Sequence, residues 1–464
     1  MNGPRINIKW YVLGDLAASV ITWFCFYYIR TAIYHYPFSM PAGFYWGGVL
    51  YTLGWISLHF LSGAYESIYQ KSRLAEFART LMSSIIGCVV LLFFLILKNQ
   101  EENNHNYYLE FYSLLIPVFI ITLTFRLITL AKAKKQLRSG VVSFNVLLIG
   151  TGKNATQFFK SFIKLREKTG YRIVSFLNTN GSNNIHLGSI HAYNNLNDLT
   201  EIIEKDKIEE VIITVEKNER ALLTTILQRL SDKNVNINIT PDTVDIISGA
   251  LQTNNVLGIP LIDVHGGQLP TWQQNIKRLV DIFVSASGLI LLSPLFLYIA
   301  IRTKFSSRGP VFYSQERIGY KGKPFNIIKF RSMIKDAEKH GLLLSSYNDP
   351  RITSWGKKMR KWRLDELPQL WNIVKGEMSF VGPRPERRFY IEQIVQQQPE
   401  YNFLFKVKPG LTGWGMIKFG YASSVEEMIQ RMPYDLMYVE NVSIGLDIKI
   451  IIHTVLIILA GKGK

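Results

Sequence analysis

Cysteine is nearly absent: 464 residues hold two, Cys25 and Cys88, and both fall in apolar runs. That excludes a disulfide framework, zinc fingers and cysteine redox chemistry. No HExxH motif occurs either, so a metal, if used, is a hard cation held by oxygens. Acids are scarce, with 35 Asp and Glu against 53 Lys and Arg and a formal charge of +18. So large an excess calls for an anionic partner: a phosphate-rich ligand, nucleic acid or an acidic bilayer surface. Nucleic acid fits poorly, because the basic charge clusters beside apolar segments rather than on an aromatic-studded sheet. Mean hydropathy is +0.09 although 19% of residues are charged, so the apolar residues are bunched.

Four apolar runs come first: Val12–Ile29, Phe44–Leu61, Leu81–Leu97 and Phe111–Leu130. Each approaches the roughly 20 residues of a spanning helix. A cleaved signal peptide is a poor reading of the first, since three more runs follow it. Lys71, Arg73 and Arg79 lie between runs two and three, and Lys132, Lys134, Lys135 and Arg138 follow run four, whereas "KNQEENNHNYYLE" is acidic and polar. The positive-inside rule then places both ends of this bundle in the cytoplasm. Asp15 and Arg126 sit near those ends, where snorkelling to the headgroups is the expectation.

Residues 145–240 alternate buried-strand and amphipathic-helix patterns, as a parallel βαβ sheet does. In "NVLLIGTGKNATQFF", Gly150 and Gly152 fit two glycines of a dinucleotide fingerprint, but the third place is Ala155, and Asn178 stands where an acid would hold a ribose. A Rossmann-like spacer or interaction domain is the favoured reading over a nucleotide site. No Tyr-xxx-Lys pair occurs, so a short-chain dehydrogenase is excluded.

A fifth apolar run, residues 278–302, is interrupted at Ser293-Pro294, where proline removes a backbone donor and bends the helix. Lys277 and Arg278 precede it; Arg302, Lys304 and Arg308 follow. Basic residues at both ends favour a re-entrant helix with both ends on one face over a kinked fifth span.

Beyond it, "GPVFYSQERIGYKGKPFNIIKFRSM" reads as a hairpin projecting Arg317, Lys329 and Arg331 from ordered structure. Such cations suit phosphate, or form a basic face near anionic lipid. Between Arg302 and Arg363 there are sixteen Lys and Arg and four acids, yet Asp365 and Glu366 then stand side by side. Leu364, Leu367, Trp371 and Val374 recur at helical spacing with Pro368 in the first turn, so the pair precedes or opens a helix. Helix capping alone would explain two acids there. The basic field around them, and Arg384 between two prolines downstream, point instead to phosphoryl transfer. One carboxylate attacks phosphorus or acts as base, the other holds Mg²⁺, and arginines neutralise the transferring group.

The segments "GPVFYSQERIG", "KFRSM", "LDELPQLWNIVKGEMSFVGPRP", "KPGLTGW" and "DLMYVENVS" together resemble the polyprenyl-phosphate sugar-1-phosphate transferases, the bacterial sugar transferase family. The four N-terminal runs and the Rossmann-like unit resemble its large, multi-domain branch. The resemblance implies a membrane protein of α plus α/β class. It has a four-helix transmembrane bundle (1–138), a Rossmann-like domain (139–250), a linker (251–276) and a monotopic α+β catalytic domain (277–464) whose re-entrant helix breaks at Ser293-Pro294. By the same resemblance Asp365 is the nucleophile, forming a phosphosugar–aspartate intermediate. Glu366 binds Mg²⁺, and Arg384 contacts substrate phosphate. Lys329 and Arg331 match the "KFR" pair. Two departures stand out: Ser332 replaces a threonine and keeps its hydroxyl, and Met416 replaces a glutamine whose hydrogen bonds a thioether cannot make.

The expected reaction moves a sugar 1-phosphate from a UDP-sugar to undecaprenyl phosphate, with UMP leaving, at the cytoplasmic face of the bacterial inner membrane. It would open exopolysaccharide, capsule or O-antigen assembly. A direct displacement with Asp365 as base is the rival within this class, and a degenerate membrane scaffold or nucleotide sensor the rival outside it. The added domains offer surfaces for a homodimer. The apolar tail "IGLDIKIIIHTVLIILAGKGK" reads as an interfacial helix or a buried core helix.

Overall fold

The computed structural model describes residues 4–35, 37–98, 104–150, 152–179, 190–215, 219–230, 233, 235–241, 261–263, 269–335, 337 and 349–460. Four helices come first: α1 (Ile8–Ile33), α2 (Ala42–Leu61), α3 (Arg73–Lys98) and α4 (Asn104–Arg138). Asn7 caps α1 by accepting from the Lys9 N–H. Among the described residues α1, α3 over Arg73–Phe94 and α4 over His105–Arg138 are long and apolar enough to cross a membrane. The second expected run, Phe44–Leu61, is helical as α2 but is not among those three. Small residues let the helices close. A Cβ on Gly87 of α3 would lie 2.5 Å from the Trp55 ring of α2.

Asp15 and Arg126 do not snorkel. They face each other across α1 and α4, each about 1% exposed. Arg126 donates twice to Asp15, at 2.9 and 2.7 Å, and a third time to Glu76 of α3 at 3.2 Å. Thr80 accepts from the same guanidinium at 3.0 Å, and the Tyr11 hydroxyl donates to Glu76 at 2.5 Å. Neither charge need reach water when its counter-ion is one helix away, so pairing wins over snorkelling.

The second unit is an α/β sheet of β1 (Phe144–Gly150), α5 (Gly152–Thr169), β2 (Tyr171–Asn178), β3 (His191–Tyr193), α6 (Leu199–Lys205), β4 (Glu210–Thr214), α7 (Arg220–Leu230), β5 (Asn236–Ile239) and β6 (Ile262–Asp263). Strand order is β3-β2-β1-β4-β5-β6, parallel except for β6. Val146, Leu148, Leu147 and Ile149 are fully buried on alternating sides of β1, feeding one core beneath α5 and another beneath α6 and α7. Gly150 is required where β1 meets β4, because a Cβ would sit 2.0 Å from the Thr214 hydroxyl. Asn178 is buried at the end of β2. Thr151, and most of the expected linker, lie outside the described residues.

The third unit starts with α8 (Thr271–Leu291) and α9 (Ser293–Ser306), which meet at Leu292 with a bend of 62°. Pro294 occupies the first turn of α9, and the Ser293 hydroxyl donates to the Ile290 carbonyl at 2.7 Å, so the break falls at the predicted dipeptide. The hairpin β7 (Phe312–Ile318) and β8 (Pro324–Phe330) follows, antiparallel as expected. Then come α10 (Ser354–Lys361), α11 (Gln369–Lys375), β9 (Ser379–Val381), α12 (Arg388–Gln397), β10 (Gly410–Thr412), α13 (Trp414–Lys418), α14 (Val425–Glu440) and α15 (Ile444–Leu459). The α8 helix packs on α11 and also reaches α2, where the Asn275 amide donates to the Phe60 carbonyl at 2.7 Å. One face of α15 is exposed and apolar, with Ile448, Ile452, Val455 and Leu456 outward.

Candidate active site

Two residues beyond α10, Arg363 adopts the left-handed region, at φ 53° and ψ 27°. That reversal carries the chain into a 3₁₀ turn, Leu364–Glu366, whose continuation through Leu367 and Pro368 opens α11. Both acids therefore sit at the approach to a helix N-terminus, as the sequence predicts, and each is 7% exposed. The apolar face differs from the predicted one. Trp371 points outward with Lys375 over its ring, while Leu370, Asn372 and Ile373 are buried. Asn372 is internal because it clamps β8, accepting from the Ile328 N–H at 3.1 Å and donating to the Asn326 carbonyl at 2.7 Å. At the other end of α11, Arg278 of α8 donates to the carbonyls of Ile373 and Val374 at 2.5 and 2.7 Å.

With β8 fixed on α11, Lys329 reaches Glu366 at 2.9 Å. Arg363 stands 3.4 Å and Arg384 3.8 Å from the same carboxylate. These ion pairs go to Glu366 rather than to Asp365, and the two acids are shifted in opposite directions. Burial would raise Glu366, but Lys329, Arg384 and Arg363 hold it well below the usual carboxylate range. Burial and the neighbouring Glu366 push Asp365 upward against Lys329 and Arg360. Burial also lowers Lys329, partly offset by Glu366.

Arg384 lies in the loop after β9, which pairs with β10. The Gly382 N–H donates to the Thr412 carbonyl and the Gly410 N–H to the Pro383 carbonyl, each at 2.9 Å. A Cβ on Gly382 would meet the Lys408 carbonyl oxygen at 2.2 Å. Gly382→Ala is expected to force these backbones apart, costing about 1–3 kcal/mol as overpacking does. The check is the thermal midpoint of the full chain; an unchanged midpoint contradicts the close approach.

The other expected cations divide. Arg317 donates to Glu386 at 3.1 Å and to the Pro385 carbonyl at 3.2 Å, directly behind Arg384. Glu386 also takes Arg431 at 3.0 Å, and Arg431 takes Asp435 at 3.2 Å. Burial raises Asp435 to about 6 despite Arg431. Arg331 instead turns to the end of α9, donating to the carbonyls of Ser307 and Pro310 at 2.6 and 2.5 Å. Ser332 uses its hydroxyl as expected of a retained one, accepting from Arg360 at 2.9 Å. Met416 places its sulfur 3.7 Å from the Arg384 guanidinium, a weak acceptor in the departed glutamine's position.

Three residues join the site without having been singled out by sequence. Arg363 needed its backbone conformation to be known. Tyr421 arrives from the loop before α14, with the guanidinium carbons of Arg363 and Arg384 each 4.7 Å from its ring centroid. Gln369 is 3% exposed with its amide nitrogen unpartnered among the described residues. Its place in "DELPQ" was the available signal.

No group of three or more His, Cys, Asp or Glu gathers among the described residues. A single carboxylate such as Glu366 can nonetheless serve Mg²⁺, which is commonly held by one or two carboxylates with the rest supplied by substrate phosphates and water. A carboxylate has about four lone-pair sites, so contacts to two or three cations leave Glu366 acceptor capacity.

A family model described as bacterial sugar transferase matches residues 272–461, which contain this whole site. A second, described as CoA-binding domain, matches residues 61–241. The chain is 40% identical over 188 residues to the UDP-N-acetylgalactosamine-undecaprenyl-phosphate N-acetylgalactosaminephosphotransferase of Aeromonas hydrophila, covering 40% of this chain and 44% of that protein. It is 36% identical over 265 residues to the UDP-glucose:undecaprenyl-phosphate glucose-1-phosphate transferase of Escherichia coli, covering 56% and 57% respectively. The chain thus spans about half the length of these relatives. To a protein of the same name from Caulobacter vibrioides it is 36% identical over 193 residues, 41% of this chain and 72% of that one. With the site contained in the matched region and nearly three quarters of a 36%-identical relative covered, the chain belongs to the bacterial sugar transferase family.

Proposed function

We propose that this chain transfers a sugar 1-phosphate from a UDP-sugar to undecaprenyl phosphate and releases UMP. The observation that carries this reading is the pair of adjacent, buried carboxylates shifted in opposite directions, with three cations on one of them. A carboxylate without strong ion pairing is the better nucleophile, so Asp365 attacks the sugar-proximal phosphorus. A phosphorus–oxygen bond forms to Asp365 while the bond to UMP breaks, and UMP leaves with the electron pair. An oxygen of the lipid phosphate then attacks the same phosphorus, and the Asp365 carboxylate is released. Two steps let a water-soluble donor and a lipid acceptor use one site in turn.

Glu366 would hold Mg²⁺, which when bound supplies positive charge to the diphosphate. Arg384 and Lys329 neutralise the transferring phosphoryl group, and Arg317 backs Arg384 through Glu386. Arg331 is assigned to securing the end of α9. The bend at Ser293-Pro294, with basic residues at both flanks, supports a re-entrant hairpin that leaves the site at the cytoplasmic surface of the inner membrane. The acceptor's headgroup stays in that plane, so an interfacial site is where the two substrates meet. The exposed apolar face of α15 suits the same interface.

The test is UMP release from UDP-glucose, UDP-galactose and their N-acetylated counterparts with undecaprenyl phosphate and Mg²⁺. Release from none of them rejects the reading in favour of a scaffold. The pH dependence carries a sign. Asp365 must be ionised to attack, and burial beside Glu366 holds its proton more tightly than usual. Activity is therefore expected to fall on the acid side with a midpoint above the ordinary aspartate value of about 3.9. An acid limb at or below that value contradicts the assignment.

A further inference from the structure

Three cations converge on one carboxylate, leaving the Glu366 cluster with an excess of positive charge before any substrate arrives. Arg363 and Arg384 come from different segments, one from a left-handed residue and the other from a loop between prolines. Mutual repulsion would spread them apart. What both touch, besides Glu366, is the ring of Tyr421, at 4.7 Å from each guanidinium carbon. The face of an aromatic ring carries negative potential, so it attracts each guanidinium while bearing no charge that would compete with a phosphate. An acid in this place would do the first and spoil the second. The phenol is also neutral in working conditions, because burial and the nearby Glu366 push it up to about 12.

From this we propose that Tyr421 is a positioning residue, whose ring holds Arg363 and Arg384 together on Glu366 in the geometry that receives the donor's diphosphate. The inference rests on the transfer reading and deepens it. The ring acts through the arginines rather than on the reacting atoms. Gly420 precedes it at φ 97°, so the chain turns there through a conformation that side chains disfavour and delivers the ring beside the arginines.

The experiment compares the full chain with Tyr421→Phe, Tyr421→Leu, Arg363→Met and the Tyr421→Leu/Arg363→Met double variant. Initial UMP release from the best UDP-sugar is one readout, and calorimetric binding of UDP is the other. Tyr421→Phe keeps the ring and is expected to stay within about twofold of the parent in both. Tyr421→Leu keeps an apolar side chain but removes the π-face and is expected to lose about tenfold in both, the effect of two partly buried cation–π contacts. In the double variant the Leu substitution should cost clearly less than it does alone, since one of its two arginines is gone. A purely structural role for the tyrosine would make the two losses additive. The proposal is overturned if Tyr421→Leu matches the parent, if Tyr421→Phe is as impaired as Tyr421→Leu, or if the losses add. Absence of UMP release from the parent would reject the transfer reading, while UDP binding across the same variants still decides the role of Tyr421.

Discussion

Asp365→Asn is expected to lower UMP release by about 10⁴-fold or more, the scale of loss when a covalent nucleophile is removed, without harm to the fold. The substitution keeps the shape of the side chain and removes only the charge. Stability should move the other way. In the folded chain Asp365 titrates above its usual value because it is buried beside Glu366. Folding therefore favours its protonated form, and the ionised carboxylate destabilises the fold once the pH exceeds the folded-state value. Below the unfolded value of about 3.9 both states are protonated and that penalty vanishes. Asp365→Asn should thus melt at or above the parent's midpoint near neutral pH, with the difference closing as the pH falls. Asp365→Asn that melts well below the parent at neutral pH would show instead that the carboxylate holds the turn together. The trade of stability for reactivity is what a functional charge in a buried place implies.

Arg126→Met carries the largest expected effect on stability, about 3–5 kcal/mol, and little on the chemistry itself. The change leaves Asp15 buried among apolar helices without its guanidinium, while Glu76 keeps Lys71 and Arg79, each at 3.5 Å. A single removed partner costs more than the pair contributes, because the remaining charges stay desolvated. Removing the opposing charge as well, as Arg126→Met with Asp15→Asn, should recover much of the loss. Thermal unfolding of the purified chain in detergent, alongside its accumulation in membranes, measures both variants. If Arg126→Met melts like the parent, the network is dispensable and the bundle is held by apolar packing alone. If the double variant is no better than the single, the penalty does not come from stranded charge.

Local pattern carried much of the site. The "YKGKP" turn, the Ser293-Pro294 break and the Pro368 helix start each depend on neighbours in the chain, and each lies where the residues predict. The Lys329–Glu366 pair was legible only as two charges of suitable type, since its distance depends on Asn372 docking β8 onto α11. Side-chain periodicity misjudged α11 for a related reason. A helix packed against both α8 and β8 has no single apolar stripe, and a polar Asn372 earns burial through three hydrogen bonds. Arg331 looked like a phosphate ligand by composition, yet the carbonyls at the end of α9 claim its donors. Asp15 with Arg126, and Tyr421 with Arg363 and Arg384, are partners far apart in sequence, and no short-range rule pairs them.

The assignment of separate roles to Asp365 and Glu366 is tested most directly by trapping. The full chain is incubated with Mg²⁺ and a UDP-sugar radiolabelled in the sugar-proximal phosphate, with no lipid acceptor, then quenched and digested. Label on the peptide containing Asp365, lost on adding undecaprenyl phosphate before the quench and absent in Asp365→Asn, is the predicted result. An unlabelled chain that still turns over when the acceptor is supplied would contradict the covalent path and leave Asp365 as a base in a direct displacement.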